Sequence, residues 1–134
     1  MFLPTARNAF GMIGPVDWEA WDEASLRAQI RANPLVADKS RADAPRPFRL
    51  ACIQLCTYDG TIYNVRKVLE RIGHLCEYVL WDEAWIGYNA FHPLFEDHSP
   101  MRLEKLAPGM PGLFSTQSVH KQGAGFSQTS QIHK

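Results

Sequence analysis

The chain carries no excess charge, since 14 Lys and Arg stand against 14 Asp and Glu in 134 residues. That balance leaves no electrostatic footprint for nucleic acid or for an anionic membrane surface. Long apolar runs are missing too; none approaches the ~20 residues that span a bilayer. No basic segment followed by an apolar stretch opens the chain, so no secretory signal is visible. Cysteines are few and odd in number: Cys52, Cys56 and Cys76, each among apolar neighbours. This points to a reduced, cytoplasmic chain and not to a disulfide framework. Metal-ligand spacing is also lacking. Cys52 and Cys56 on one strand would lie ~13 Å apart at ~3.3 Å per residue. His92, His98, His120 and His133 form no H-E-x-x-H pattern, so no metal is expected. Neither G-x-x-x-x-G-K-[ST] nor G-x-S-x-G occurs, which removes a P-loop and a serine-hydrolase elbow.

What is present is the stuff of a core, with four Trp and seven Phe, enough for one small domain or a piece of a larger one. Met1 to Val16 holds Pro4, Gly11, Gly14 and Pro15 and forms no single long element. Asp22 is placed to cap a helix through Ala32, with Leu26 and Ile30 on one face and Pro34 beyond its end. Asp38 to Pro47 is polar and reads as a surface connection. Leu50 to Cys56 is nearly continuous apolar, as in a strand covered on both faces. After the turn Tyr58-Asp59-Gly60, Val65, Val68, Leu69 and Ile72 fall at helical spacing, with Gly73 as terminator. Tyr78 to Trp81 is a second short strand, closed by Asp82. Strand, helix and strand make a βαβ unit, expected to be right-handed and part of a parallel sheet. Beyond a loop with Pro93, Pro100, Pro108 and Pro111, Leu113 to Val119 adds another strand. The fold class is α/β.

Ligands of open parallel sheets sit outside the carboxyl ends of the strands. Asp82 and Lys121 both lie just past such an end, although 39 positions (121 − 82) separate them. Lys121 follows Ser115-Thr116-Gln117-Ser118-Val119-His120 and precedes Gly123 and Gly125. An unperturbed lysine titrates near ~10.4, so an amine that reacts at neutral pH needs partial burial or a neighbouring cation. An ordinary solvated lysine is the plain alternative. Asp82 likewise has two readings, a site carboxylate or the cap of a following turn.

Thr116-x-Ser118-x-His120-Lys121, then Ala124-Gly125 and Ser127-Gln128-Thr129-Ser130, resembles the pyridoxal-phosphate attachment signature of the bacterial ornithine/lysine/arginine decarboxylases. The resemblance extends through Trp81-Asp82-Glu83-Ala84-Trp85-Ile86-Gly87-Tyr88 and Thr57 to Asn64, and back to Arg7-Asn8-Ala9-Phe10-Gly11. Gln117 to Gln122, Gly73-His74-Leu75-Cys76 and Ser130 to Lys134 look most like ornithine decarboxylases, with lysine and arginine decarboxylases as alternatives. The family usually has a smaller residue where Glu83 stands, a departure with no evident consequence.

The resemblance implies a pyridoxal-phosphate-dependent transferase-like fold: the large domain of aspartate-aminotransferase type, three layers α/β/α around a mainly parallel sheet. Residues 1–134 would be the central part of that cofactor-binding major domain. Lys121 is similar to the lysine that holds pyridoxal 5'-phosphate as an internal aldimine, and Asp82 to the carboxylate on the pyridine nitrogen. Ser118 and His120 match residues against the cofactor phosphate; Ala84 and Trp85 match residues lining its pocket. The implied reaction converts L-ornithine to putrescine and CO2, in an enzyme that is a homodimer or larger when intact. The family's phosphate-cradling turn, ring-stacking aromatic and small closing domain are not found in Met1 to Lys134, so activity of these residues alone is expected to be negligible. Two readings follow. The chain is a fragment of a decarboxylase, or it is a non-catalytic remnant, inert or paired with an intact homologue.

Overall fold

Pro4, Gly11, Gly14 and Pro15 break the first stretch into two short antiparallel strands, β1 (Thr5–Arg7) and β2 (Ile13–Val16). The computed structural model describes residues 1–103, 105–126 and 128–134. Gly11 turns the hairpin at φ 81°, a backbone region that only glycine enters freely. Helix α1 (Glu23–Ala32) follows and buries Leu26 and Ile30 as its spacing requires. Asp22 does occupy the position before its first turn, but its side chain makes no capping bond and pairs with Arg71 instead. The polar connection 38–47 contains a 3-10 turn, Lys39–Asp43, that inserts Ala42 fully into the interior.

The main sheet comprises β3 (Phe48–Gln54), β4 (Cys76–Asp82), β5 (Gly112–Ser118) and β6 (Ser130–His133), in that spatial order. The first three are parallel and β6 is antiparallel to β5. Helix α2 (Val65–Ile72) joins β3 to β4 and completes the expected βαβ unit, while the one-turn helix α3 (Val119–Gln122) joins β5 towards β6. Register sets Ile53 beside Trp81 and Trp81 beside Ser115. Ile53, Val79 and Trp81 enter one core with Val65, Val68, Leu69 and Ile72 of α2, joined by Trp21, Leu26 and Leu75. Each such buried side chain contributes ~1.5–3 kcal/mol through removal of apolar surface from water.

Two expectations are corrected here. The first strand runs two residues earlier than its apolar stretch, and it is covered on one face only. Leu50 is 49 % exposed, and Cys52 on the same face is exposed as well. Gly73 does end α2, as its C-cap residue and as expected, but in ordinary right-handed backbone at φ −57°, and the chain continues into a 3-10 turn. Its use is space: a Cβ there would lie 3.3 Å from Cδ of Pro111.

The long proline-bearing loop is built from three 3-10 turns, Gly87–Phe91, Pro93–His98 and Pro100–Arg102. Pro93 and Pro100 begin two of them, where a missing N–H costs nothing. Nδ1 of His92 and Oγ of Ser99 accept the free N–H groups of Leu94 and Met101. No helix among the described residues is long and apolar enough to cross a membrane.

Candidate active site

Because β4 and β5 are parallel, their carboxyl ends lie on one edge of the sheet. Asp82 is the last residue of β4, in register with Thr116, and it is exposed. Its Oδ1 accepts the N–H of Ala84 at 2.9 Å. The turn-capping reading is therefore realised, yet it occupies one oxygen; the other carries no hydrogen bond among the described residues. Capping and a site role are compatible.

Lys121 lies on α3, directly after β5, and is exposed. Its Nζ stands over the indole of Trp85, 4.8 Å from the ring centroid. Trp85 in turn packs on Tyr58, with ring centroids 5.0 Å apart. This stack links the loop after β3, the turn after β4 and the helix after β5. Cation–π contacts of this kind are worth ~0.5–2 kcal/mol, more as water is excluded.

Ser118 precedes α3 and is half-buried, and His120 is its second residue. Nδ1 of His120 lies 2.9 Å from the carbonyl oxygen of Thr129, which can only accept, so this nitrogen is the donor. The glycines after Lys121 serve close approach and not a phosphate loop. A Cβ on Gly125 would meet Oγ1 of Thr129 at 2.8 Å and the N and Cα of His120 at 3.2 Å. Between them Ala124 takes φ 57°, a left-handed conformation rare for a side chain other than glycine. Ser127, part of the attachment signature, lies outside the described residues.

Asp82, Ala84, Trp85, Ser118, His120 and Lys121 thus share one edge of the sheet, with Trp85 and Lys121 in contact. No hydrogen bond joins Asp82 to Lys121. Among the described residues no three His, Cys, Asp or Glu side chains group as metal ligands. The cysteines are free. Burial pushes the thiol of Cys76 up to about 11, so it stays protonated at neutral pH as a core residue.

Glu83 is the residue that sequence reasoning passed over. It is fully buried. Oε2 accepts from Oγ of Ser115 and Nε2 of Gln117, both at 2.7 Å. Burial pushes its carboxyl above the usual range, and the bonds from Gln117 and Ser115, with His133 and the hydroxyl of Ser99, work in the opposite direction. The signal was available: Val79, Trp81 and Glu83 alternate with period two, so the third follows the first two inward.

The whole chain, residues 1–134, matches the family described as Orn/Lys/Arg decarboxylase, major domain. The chain belongs to this family. It is 57 % identical over all 134 residues to the constitutive ornithine decarboxylase of Escherichia coli K12. Identity to the ornithine decarboxylase of Haemophilus influenzae is 55 %, again over the full 134 residues. It spans 18 % of the length of each. The structure of the Escherichia coli constitutive lysine decarboxylase superposes with a TM-score of 0.82 at 32 % identity, covering 99 % of this chain and 17 % of that one. The mixed α/β arrangement is thus that of a segment of this decarboxylase.

Proposed function

We propose that this chain is the central part of the pyridoxal-phosphate-binding major domain of an ornithine decarboxylase, which forms putrescine and CO2 from L-ornithine. The observation that carries this reading is Lys121, held over Trp85 on the edge where Asp82 ends β4. The surrounding sequence supports it, with 57 % identity to an ornithine decarboxylase against 36 % to a lysine decarboxylase. The parent domain is taken to be the aspartate-aminotransferase-like large domain, of three α/β/α layers. The intact enzyme is taken to be a cytoplasmic homodimer or larger assembly, as in the family.

The residues fit pyridoxal 5'-phosphate by the chemistry of their donors. Lys121 offers an exposed amine for covalent attachment, and Asp82 an exposed carboxylate with one oxygen uncommitted. Ser118 and His120 offer polar groups to a phosphate, and Ala84 leaves room beside Trp85. When bound, the cofactor supplies an electron sink for the charge left at Cα as CO2 departs. Asp82 would hold a proton on the ring nitrogen, because an opposite charge within reach favours the charged form. Lys121 would hold the cofactor covalently through its amine, the kind of attachment that divides one difficult step into easier ones. The bond to Thr129 holds the His120 ring in one orientation.

The test uses the full-length enzyme carrying this segment. CO2 release is measured from L-ornithine, L-lysine and L-arginine, with ornithine expected to give the highest kcat/KM. An adjacent opposite charge shifts a pKa by ~1–3 units, so Asp82→Ala is expected to lower kcat by ~10–10³-fold. Preference for lysine or arginine would overturn the substrate assignment. Absence of release from all three would support the non-catalytic reading.

A further inference from the structure

In the segment Asp82-Glu83-Ala84-Trp85, Asp82 is exposed and Ala84 and Trp85 are half-buried, whereas Glu83 points into the interior with no exposed surface. A buried carboxyl is costly unless hydrogen-bonded, even when neutral. Among the described residues, the other members of the segment make no side-chain hydrogen bond beyond it. Asp82 bonds Ala84 within the segment, and Trp85 has ring contacts alone. Glu83 makes the side-chain bonds that leave it, to Ser115 and Gln117 of β5.

The network runs on. Oε1 of Gln117 accepts from Nε2 of Gln131 at 2.7 Å, and these two residues are register partners in β5 and β6. Gln117 stands just before α3 and Gln131 just after the loop that returns from it. The pair therefore closes the base of the loop carrying Lys121. Gln117 also packs under the chain leaving Trp85, since a Cβ on Gly87 would meet Cδ of Gln117 at 3.2 Å. Backbone bonds lie alongside: the N–H of Glu83 donates to Thr116 at 2.8 Å, and its carbonyl accepts from Ile86 at 3.0 Å.

We propose that Glu83 is a positioning residue, whose carboxyl, through Gln117 and Gln131, fixes the turn carrying Asp82 and Trp85 against the loop carrying Lys121. The cofactor's two anchors come from different strands, and Glu83 sets their separation from the buried side of the sheet. This rests on the reading of Asp82 and Lys121 given above.

The experiment compares Glu83→Gln and Glu83→Ala in the full-length enzyme. Pyridoxal-phosphate affinity, the pH titration of the Lys121-bound chromophore and the melting temperature of the cofactor-free protein are measured for each. Glu83→Gln keeps an acceptor for Ser115 and Gln117, and it is expected to bind the cofactor within about twofold of wild type. Glu83→Ala loosens both anchors and is expected to weaken binding by ~10-fold or more, with a displaced chromophore titration, since small misplacements at a reacting centre have large effects. Should Glu83→Ala not fold, Gln117→Leu severs the link to Gln131 while leaving the carboxyl, and a several-fold loss of affinity is expected. A lower melting temperature with unchanged affinity and titration in either loss variant overturns the proposal. Failure of the wild-type enzyme to form a borohydride-stable adduct at Lys121 would instead overturn the reading of the site itself.

Discussion

Gly125 tests whether the loop around Lys121 is packed as tightly as the structure requires. In Gly125→Ala the new methyl would lie 2.8 Å from Oγ1 of Thr129 and 3.2 Å from the N and Cα of His120. The backbone of His120 cannot rotate aside, so α3 has to shift. Overpacking of this kind costs ~1–3 kcal/mol. The lost freedom of the unfolded chain returns ~0.4–1 kcal/mol, which leaves a net loss between ~0 and ~2.6 kcal/mol, with the middle of the range at ~1–2 kcal/mol. Two amides report directly on the loop: Val119 donates to Thr129 at 3.0 Å and Gly123 to Val119 at 2.8 Å. A local loss of ~1–2 kcal/mol multiplies their opening by ~5–30-fold. Hydrogen exchange of these amides in the full-length enzyme is the assay, with cofactor affinity as the functional readout. Unchanged exchange at both amides, with unchanged affinity, would refute the tight packing.

Glu83 provides a pH dependence whose sign follows from its burial. Its carboxyl is raised above the usual 4.5, so folding takes up a proton between that value and the raised one. Wild-type stability therefore declines as pH rises through this window and levels above it. Glu83→Gln cannot titrate, so its stability relative to wild type should grow with pH in denaturant titrations; a constant or shrinking difference contradicts the buried carboxyl. Trp85→Leu removes the ring under the Lys121 amine, a contact of ~0.5–1 kcal/mol at an exposed site. Competitive acetylation of the cofactor-free enzyme should then label Lys121 ~2–5-fold faster, and an unchanged rate would deny that the ring holds the amine.

The parts of the fold legible in the sequence are those whose side chains alternate between core and solvent. Val65, Val68, Leu69 and Ile72 have a helical period, and all four are buried. Tyr78 to Trp81 and Leu113 to Val119 emerge as parallel strands within two residues of their expected limits. The strand Ser130–His133 was not visible because Ser-Gln-Ile-His has no apolar alternation; pairing with β5 and the Gln131–Gln117 bond hold it. Leu50 to Cys56 misled because continuous apolarity does not show which face this segment covers. Within the candidate site, Asp82 and Lys121 were legible from their places after strand ends. The role of Gly125 was not, because it depends on His120 and Thr129 folding back onto it, a contact of tertiary structure.

The central claim is that Lys121 is the amine that holds the cofactor. The most direct measurement incubates the full-length enzyme with pyridoxal 5'-phosphate, reduces it with borohydride and maps the modified peptide by mass spectrometry. The expected result is one phosphopyridoxyl group, on Lys121, absent from Lys121→Ala together with ornithine decarboxylation. A label on another lysine, such as Lys105 or Lys134, with activity retained in Lys121→Ala, would contradict it.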